Sequence, residues 1–428
     1  TADLRQRGSN LSILKGPSAA ALRRAAAQTG ATQIFCTAVY EPELKRRDAA
    51  LAVELTAAGL RLVVLDGSLL FNPNEIQNQT GGAYRVFTPF YRRTAAALDR
   101  LSAPMAAPSS IRSPRTRPAG VELDALNLLP RHGWADGFAR DWRPGEAGAA
   151  ERLQAFAEER LSRYATDRDR PDPPGTSRLS AHLHFGELSP RRVVAVVRGA
   201  GVDGAGVQAY LRELLWREFA AHLLDHVPDT VQAPLDPRYA DFPWLENAQA
   251  LSAWQRGMTG MALVDAGMRE LWTTGFMHNR LRMVVASFLT KNLGIDWRRG
   301  AEWFRYTLLD ADLANNTLGW QWSAGCGADA APYHRILSPV RQAERFDPER
   351  RYLRRWLPEL ACLPDEWLHC PWAAPAEVLK AANVRLGVDY PWPIVDLKAS
   401  RERALAAGRL IATRRTRPDP RSAILPNP

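Results

Sequence analysis

The spacing of apolar positions changes near residue 150, and the change divides the chain. Between residues 11 and 66 short apolar runs alternate with helical segments. LSIL at 11–14 leads into a helix opened by Pro17 and Ser18, QIFCTAV at 33–39 into a helix from Pro42 to Ala58, and Gly59 into LRLVVLD at 60–66. The order predicts βαβαβ, with Ser18 as an N-cap and Gly59 as a helix stop. Strands apolar throughout and spaced by helices predict a parallel sheet covered on both faces. The chain enters on a helix-like ADLRQRG with no strand before it, and no GxGxxG follows a strand, so a dinucleotide site of the usual kind is unsupported.

Residues 101–120, rich in Pro, Ser and Arg and without apolar periodicity, predict an interdomain linker. Beyond residue 150 the pattern is helical: ERLQAFAEERLSRYA, VQAYLRELLWREFAAHLL and MHNRLRMVVASFLTKNLG all repeat apolar positions at the helical period. The predicted fold class is therefore α/β plus all-α. A parallel, Rossmann-like α/β domain over 1–100, truncated at its start, is followed by a linker over 101–150 and an all-helical domain over 151–428.

Composition narrows the partner. The 428 residues are 46% apolar and 9% aromatic, enough for more than one core, and a net charge of +10 favours a polyanion over a membrane or a small substrate. Five of the basic residues are Lys and the other 51 are Arg, whose planar fork suits phosphates and base edges. The four cysteines, Cys36, Cys326, Cys362 and Cys370, have neither metal-ligand nor disulfide spacing. With no signal-peptide character and no apolar run long enough to span a bilayer, the expectation is a cytoplasmic protein with no membrane partner and no metal.

Four short runs in the helical part gather Trp, Asn, Arg and Asp. GTSRLSAHLHFGELSP (175–190) sets hydroxyls and free backbone N–H groups at a helix start, where a pyrophosphate can be held. ELLWREF (213–219) makes Glu213 and Trp216 neighbours on one helix, with Arg217 beside them, a carboxylate and an indole suited to an exposed base. TGFMHNRLRMVVASF (274–288) puts Asn279, Arg280 and Met283 on a polar face backed by Leu281, Val284, Val285 and Phe288. LLDADLANNTLGWQWSAGCGADAAPY (308–333) is poor core filler and good pocket wall. Singly, each run also has an ordinary structural explanation, because most helical Trp residues fill cores and most Arg–Asp neighbours are plain ion pairs.

Together, DADLANNTLGWQW, TGFMHNRLRM, LLWREF, GTSRLS and WQRGMTGMALVDAGMREL strongly resemble the photolyase and cryptochrome flavoproteins, over residues 10–400. The tail LPELACLPDEWLHCPWAAPAEVLKAANVRLGVDYPWPIVDL is most similar to plant cryptochromes and to class III bacterial photolyases of cyclobutane pyrimidine dimers. The resemblance implies FAD, active as reduced FADH⁻, in the helical domain. It places Tyr164, Thr176, Ser177, Arg178, Leu179 and Ser180 on the phosphates and ribose, and Asp310, Ala311, Asp312 and Asn316 on the flavin ring, with Arg282 paired to Asp310. Trp320, Trp297 and Trp244 match the electron relay from flavin to surface. Glu213, Trp216, Asn279, Arg280, Met283 and Trp322 match the pocket for a flipped-out dimer, and Arg168, Arg217 and Gln342 the DNA contacts.

The implied activity is light-driven repair of cyclobutane pyrimidine dimers in single- or double-stranded UV-damaged DNA, by a nucleoid-associated monomer. Asn316 stands where plant cryptochromes carry Asp, and an amide cannot deliver a proton, so Asn316 favours anionic reduced flavin and repair over signalling. The alternative is a cryptochrome-like blue-light photoreceptor without repair; a light-independent single-strand binder has no use for Asp310, Asp312 and Asn316 together. One His followed by Asn in Met277-His278-Asn279, where (6-4) enzymes carry a His pair, points to cyclobutane dimers. The class III likeness implies a folate (methenyltetrahydrofolate) antenna near Tyr40 and Glu41, against which stands a start that reads as short. Phe276 replaces the family's Trp, and His334 its Phe.

Overall fold

The computed structural model describes residues 2–412 except 130, 131, 174, 203, 331 and 334, so His334 lies outside the described residues. Two of the three expected strands form. β1 (Gln33–Thr37) and β2 (Arg61–Leu65) pair in parallel, from Gln33 opposite Arg61 to Thr37 opposite Leu65. LSIL forms no strand. Its backbone bonds run to the segment expected as linker: the Val121 N–H donates to the Ile13 carbonyl at 2.8 Å, and the Ile111 N–H to the Arg7 carbonyl at 2.6 Å. Gly120 sits so close that a Cβ there would lie 2.7 Å from the Ile13 oxygen, which only Gly permits. The strand expected at LSIL thus does not form, and its backbone bonds to residues 111–121 instead.

The sheet is also not covered on both faces. Phe35, Val64 and Leu65 are more than half exposed. Two strands with the helices Ser18–Thr29 and Pro42–Ala57 bury only one face, as an apolar layer needs a second layer to cover it. Ser18 is the first helical residue after a Pro17 cap and makes no side-chain cap bond. Gly59, at φ 76°, follows the second helix and turns the chain into β2 as expected.

Residues 69–98 pack on the helical part. Phe87, Phe90 and Leu98 of the Phe87–Leu98 helix share one apolar core with Leu153, Phe156, Leu215 and Phe219. The long helix Ala205–His226 fastens this region. Oε2 of its buried Glu218 accepts the backbone N–H groups of Leu70 (2.8 Å) and Phe71 (3.3 Å), Arg217 donates to the Ser68 carbonyl (2.9 Å), and His222 Nε2 accepts the Tyr84 N–H (3.0 Å). Lys45 pairs with Asp225.

Burial pushes the Glu218 carboxyl up to about 7 from an ordinary 4.5, although Arg217 and the two amides oppose the shift. A folded-state value above the unfolded one gives stability that is complete below about pH 4.5 and lost as pH rises through about 7. Glu218→Gln retains one oxygen for both amides and has nothing to ionise. It is expected to remove about 3 kcal/mol of pH dependence between pH 5 and 8. Thermal unfolding of both proteins across that range checks it, and parallel curves contradict it.

A second core holds the C-terminal half together, with Trp254, Trp297 and Trp320 almost wholly buried. The helix Ala262–Thr274 ends at Gly275 (φ 67°), and Asn279–Ser287 follows, running on into a π-helical turn at Phe288–Asn292. The tail returns to this core: Asp265 receives the Tyr390 hydroxyl at 2.7 Å as well as the N–H groups of Thr259 and Gly260. Among the described residues no helix is long and apolar enough to cross a membrane, and no group of side chains has the makings of a metal site.

Candidate functional site

The helices Asn279–Ser287, Trp297–Thr307 and Leu313–Ala324 converge on one acidic and amide-rich wall. Arg282 donates to both oxygens of Asp310, at 3.0 and 2.8 Å, and to the Met277 carbonyl at 2.8 Å. Asp310 is nearly buried, so this pair fixes a carboxylate that water does not reach. Ala311 follows, and Asp312 caps the Leu313–Ala324 helix by accepting the Asn315 N–H at 2.8 Å. Asn316 donates its amide to the Ala301 carbonyl at 2.9 Å, which leaves its oxygen as the acceptor. On the same helix a Cβ at Gly319 would meet nothing within 4 Å.

The 164–180 segment forms a second wall. Tyr164 is buried edge-on against Phe156 and Tyr210. Buried Ser177 accepts the Tyr210 hydroxyl at 3.0 Å; Thr176 is half-buried, Leu179 buried, and Ser180 opens the Ser180–His184 turn of helix. Arg178 takes a left-handed φ of 52° and lies over Phe276 (4.3 Å to the ring centre) and Trp142 (5.2 Å). Burial lowers its affinity for a proton, with Glu270 and Asp141 opposing. Phe276 therefore packs under the guanidinium.

The third group faces outward. Arg168 and Glu213 pair at 2.6 Å, Arg280 and Asp169 at 2.7 Å, and Arg280 also covers Phe346 at 4.4 Å. Burial disfavours the Arg168 charge, but the hydrogen bond and charge of Glu213 outweigh it and raise its pKa. Met283 sulfur lies 4.0 Å from the Asn279 amide and 3.9 Å from Arg280. Trp322 is half-buried, and Gln342 is half-buried with a shielded oxygen that has no partner. Trp216 stacks on Phe87 with 3.6 Å between ring centres and an 11° tilt, so one of its faces is taken. Arg217 departs from expectation: its guanidinium is spent on Ser68 and Glu218 and holds the N-terminal region instead of facing DNA. Adjacent residues on a helix point about 100° apart, so Trp216 and Arg217 do not share a surface.

Trp320 packs edge-on against Trp254 (6.1 Å) and Phe304 (5.0 Å), under Gly300, where a Cβ would lie 2.0 Å from the indole. Trp297 is buried, and Trp244 is half-buried beside Phe242 at 4.2 Å. Trp297, Trp244 and Asn316 line one cavity of about 1050 Å³. Residues that sequence reasoning missed include Phe87 behind Trp216, Asp169 on Arg280, and Trp142, whose indole donates to the Thr274 carbonyl at 2.8 Å. Asp169 was in principle visible as an acid within an RDR run; the partners of Phe87 and Trp142 lie 129 and 132 positions away in sequence.

A flavin dinucleotide fits what these walls offer. Arg178 Nε and Trp320 Nε1 are buried donors without partners, and Arg178 brings positive charge beside the hydroxyls of the 176–180 run. A diphosphate and a polar ring edge supply acceptors for such groups.

Comparison with known proteins agrees. Residues 210–409 match the FAD binding domain of DNA photolyase, and residues 1–109 the DNA photolyase domain. The deoxyribodipyrimidine photo-lyase of Agrobacterium fabrum is 42% identical over 410 residues, spanning 95% of this chain and 85% of that protein. Cryptochrome-1 of Arabidopsis thaliana is 37% identical over 395 residues, spanning 90% of this chain and 58% of that protein. The crystal structure of a bacterial class III photolyase from Agrobacterium tumefaciens superposes with a TM-score of 0.93 at 42% identity, covering 96% of this chain and 86% of that one. With two domain matches in their family order and such similarity across almost its whole length, the chain belongs to the photolyase and cryptochrome family.

Proposed function

We propose that this chain is a deoxyribodipyrimidine photo-lyase, repairing cyclobutane pyrimidine dimers in UV-damaged DNA with FAD as its cofactor. The observation that carries the reading is Asn316: its N–H is engaged by Ala301, so the group beside the relay is a neutral acceptor with no proton to give. That suits a repair enzyme, and the similarity of the chain to proteins named photo-lyases and to a class III photolyase structure supports the same side. Reduced FAD, when bound, supplies the light-driven electron that opens the cyclobutane ring. The protein's share is binding, orientation and dryness.

In this reading the 176–180 hydroxyls and Arg178 hold the phosphates, Asp310 and Asp312 fix the ring edge, and Arg282 holds Asp310 in place. Glu213 hydrogen-bonds the pyrimidine edge, and the free face of Trp216 with Trp322 and Met283 walls a flipped-out dimer. Photolyases are among the enzymes known to flip their target out of the duplex. Arg168, Arg280 and Gln342 contact the flanking backbone; Arg217 is not among them. His278 is buried, and burial lowers it to about 4, so it is neutral and cannot serve as the acid that (6-4) chemistry needs. The domain division at 100 and 150 and a folate antenna near Tyr40 and Glu41 belong to the same proposal.

The test is repair of dimer-containing oligonucleotides by reduced protein, in light and in darkness. Light-dependent loss of dimers is expected, and none in light ends the reading. In the same assay Trp216→Ala is expected to lower the preference for damaged over intact DNA by roughly tenfold, the worth of about one base–aromatic stack. Unchanged discrimination removes Trp216 from the pocket.

A further inference from the structure

Residues 137–145, in the stretch expected as linker, lie strapped to the helical part. Gly137 and Phe138 press on the end of the Ala262–Thr274 helix: a Cβ at Gly137 would lie 2.4 Å from the Thr273 oxygen, and one at Gly275 would lie 2.6 Å from the Phe138 ring. The indole of Trp142, only 8% exposed, donates to the Thr274 carbonyl at 2.8 Å. Further on, the Gly145 N–H donates to Glu187 Oε1 at 2.7 Å, and Oε2 of the same carboxylate lies 2.6 Å from His182 Nδ1. The strap is therefore fastened to the turn that precedes Phe276 and to the segment that follows Arg178.

Arg178 is four-fifths covered and its Nε is a buried donor without a partner. Ring faces hold its guanidinium, Phe276 at 4.3 Å and Trp142 at 5.2 Å from the ring centres. A ring face attracts a cation without using its N–H groups, so these remain for an anion. Arg152 lies over the same indole at 5.1 Å, and its Nη2 donates to the Asp141 carbonyl at 2.9 Å. Among the described residues the one carboxylate within 4 Å of either guanidinium is that of Asp141, 3.9 Å from Arg178. Two like charges gathered on one indole, with so little to balance them, suit a diphosphate.

We propose that Trp142 is a positioning residue of the cofactor site: its ring, pinned by the bond to Thr274, holds the Arg178 guanidinium in the pose that meets the FAD phosphates, so that residues 137–145 belong to the flavin cradle. This rests on the assignment of Arg178 to the phosphates. Trp142 acts through Arg178.

Two substitutions separate the ring face from the indole N–H. Trp142→Phe keeps an aromatic face beneath Arg178 and loses the bond to Thr274, whereas Trp142→Leu keeps apolar bulk and loses the face as well. Release of FAD from each purified holoprotein is followed by the rise in flavin fluorescence on dilution, with melting temperature alongside. Both variants are expected to melt lower than the native protein, but Trp142→Leu to release FAD about tenfold faster and Trp142→Phe at close to the native rate. In an Arg178→Met background, which itself releases FAD faster, Trp142→Leu is expected to add nothing. Trp142→Met, a flexible filler of the same gap, takes the place of Trp142→Leu if the latter does not fold. A native release rate for Trp142→Leu, equal acceleration in Trp142→Leu and Trp142→Phe, or additivity with Arg178→Met overturns the proposal. A native release rate for Arg178→Met removes Arg178 from the phosphates and sinks the assignment on which the proposal stands.

Discussion

Trp320→Phe stops light-driven reduction of the oxidised flavoprotein while leaving repair intact once the flavin has been reduced chemically. The indole is nearly buried, held edge-on between Trp254 and Phe304 and pressed by Gly300, so the smaller Phe enters the space without a clash and leaves a small cavity. What changes is the ease of losing an electron, since indole is among the most oxidisable side chains and benzene is not. The expected loss of photoreduction is on the order of 100-fold, equivalent to about 2.7 kcal/mol of barrier. Absorbance under blue light with an external thiol measures photoreduction, and the dimer assay with dithionite-reduced protein measures repair. Photoreduction at the native rate removes Trp320 from the relay. Loss of both activities together means that Trp320 holds the flavin in place, a different role from carrying charge.

The cavity that Trp297, Trp244 and Asn316 share explains why sequence reading could group them without ordering them in space. The pairing of Arg282 with Asp310 that the family motif implies is present, both oxygens of Asp310 receiving one Arg282 nitrogen. Where the outcome depended on which distant surface a residue meets, the reading failed. LSIL reads as a strand, yet it bonds to residues 111–121 and forms none. Arg217 was legible as a basic neighbour of Trp216, yet it turns toward Ser68, a contact 149 positions away. Phe87, which takes one face of Trp216, belongs to the N-terminal third of the chain and gave no periodic signal linking it to a helix that starts at Ala205. His278 is legible as a lone His before Asn279; only the structure shows its Nδ1 capping the Asn279–Ser287 helix.

Removing the guanidinium beside Asp310 tests the flavin wall most severely. Arg282 is three-quarters covered and Asp310 almost wholly so, and the two oxygens of Asp310 receive one Nη2 group. Arg282→Met leaves a nearly buried carboxylate without its ion-pair partner, with an expected cost of about 3 kcal/mol. The Met277 carbonyl loses its donor as well, which loosens the turn entering the Asn279–Ser287 helix. The variant is therefore expected to purify colourless and to unfold at lower denaturant. Arg282→Met with Asp310→Asn removes the stranded charge, so stability returns toward the native value, but the acidic edge for the flavin ring does not. Denaturant titration and the flavin absorbance of each purified protein separate these effects: a double variant that is both stable and yellow shows that the pair supports folding alone, while one that is stable and colourless shows that Asp310 is kept, at some cost to the fold, because the cofactor needs a carboxylate there.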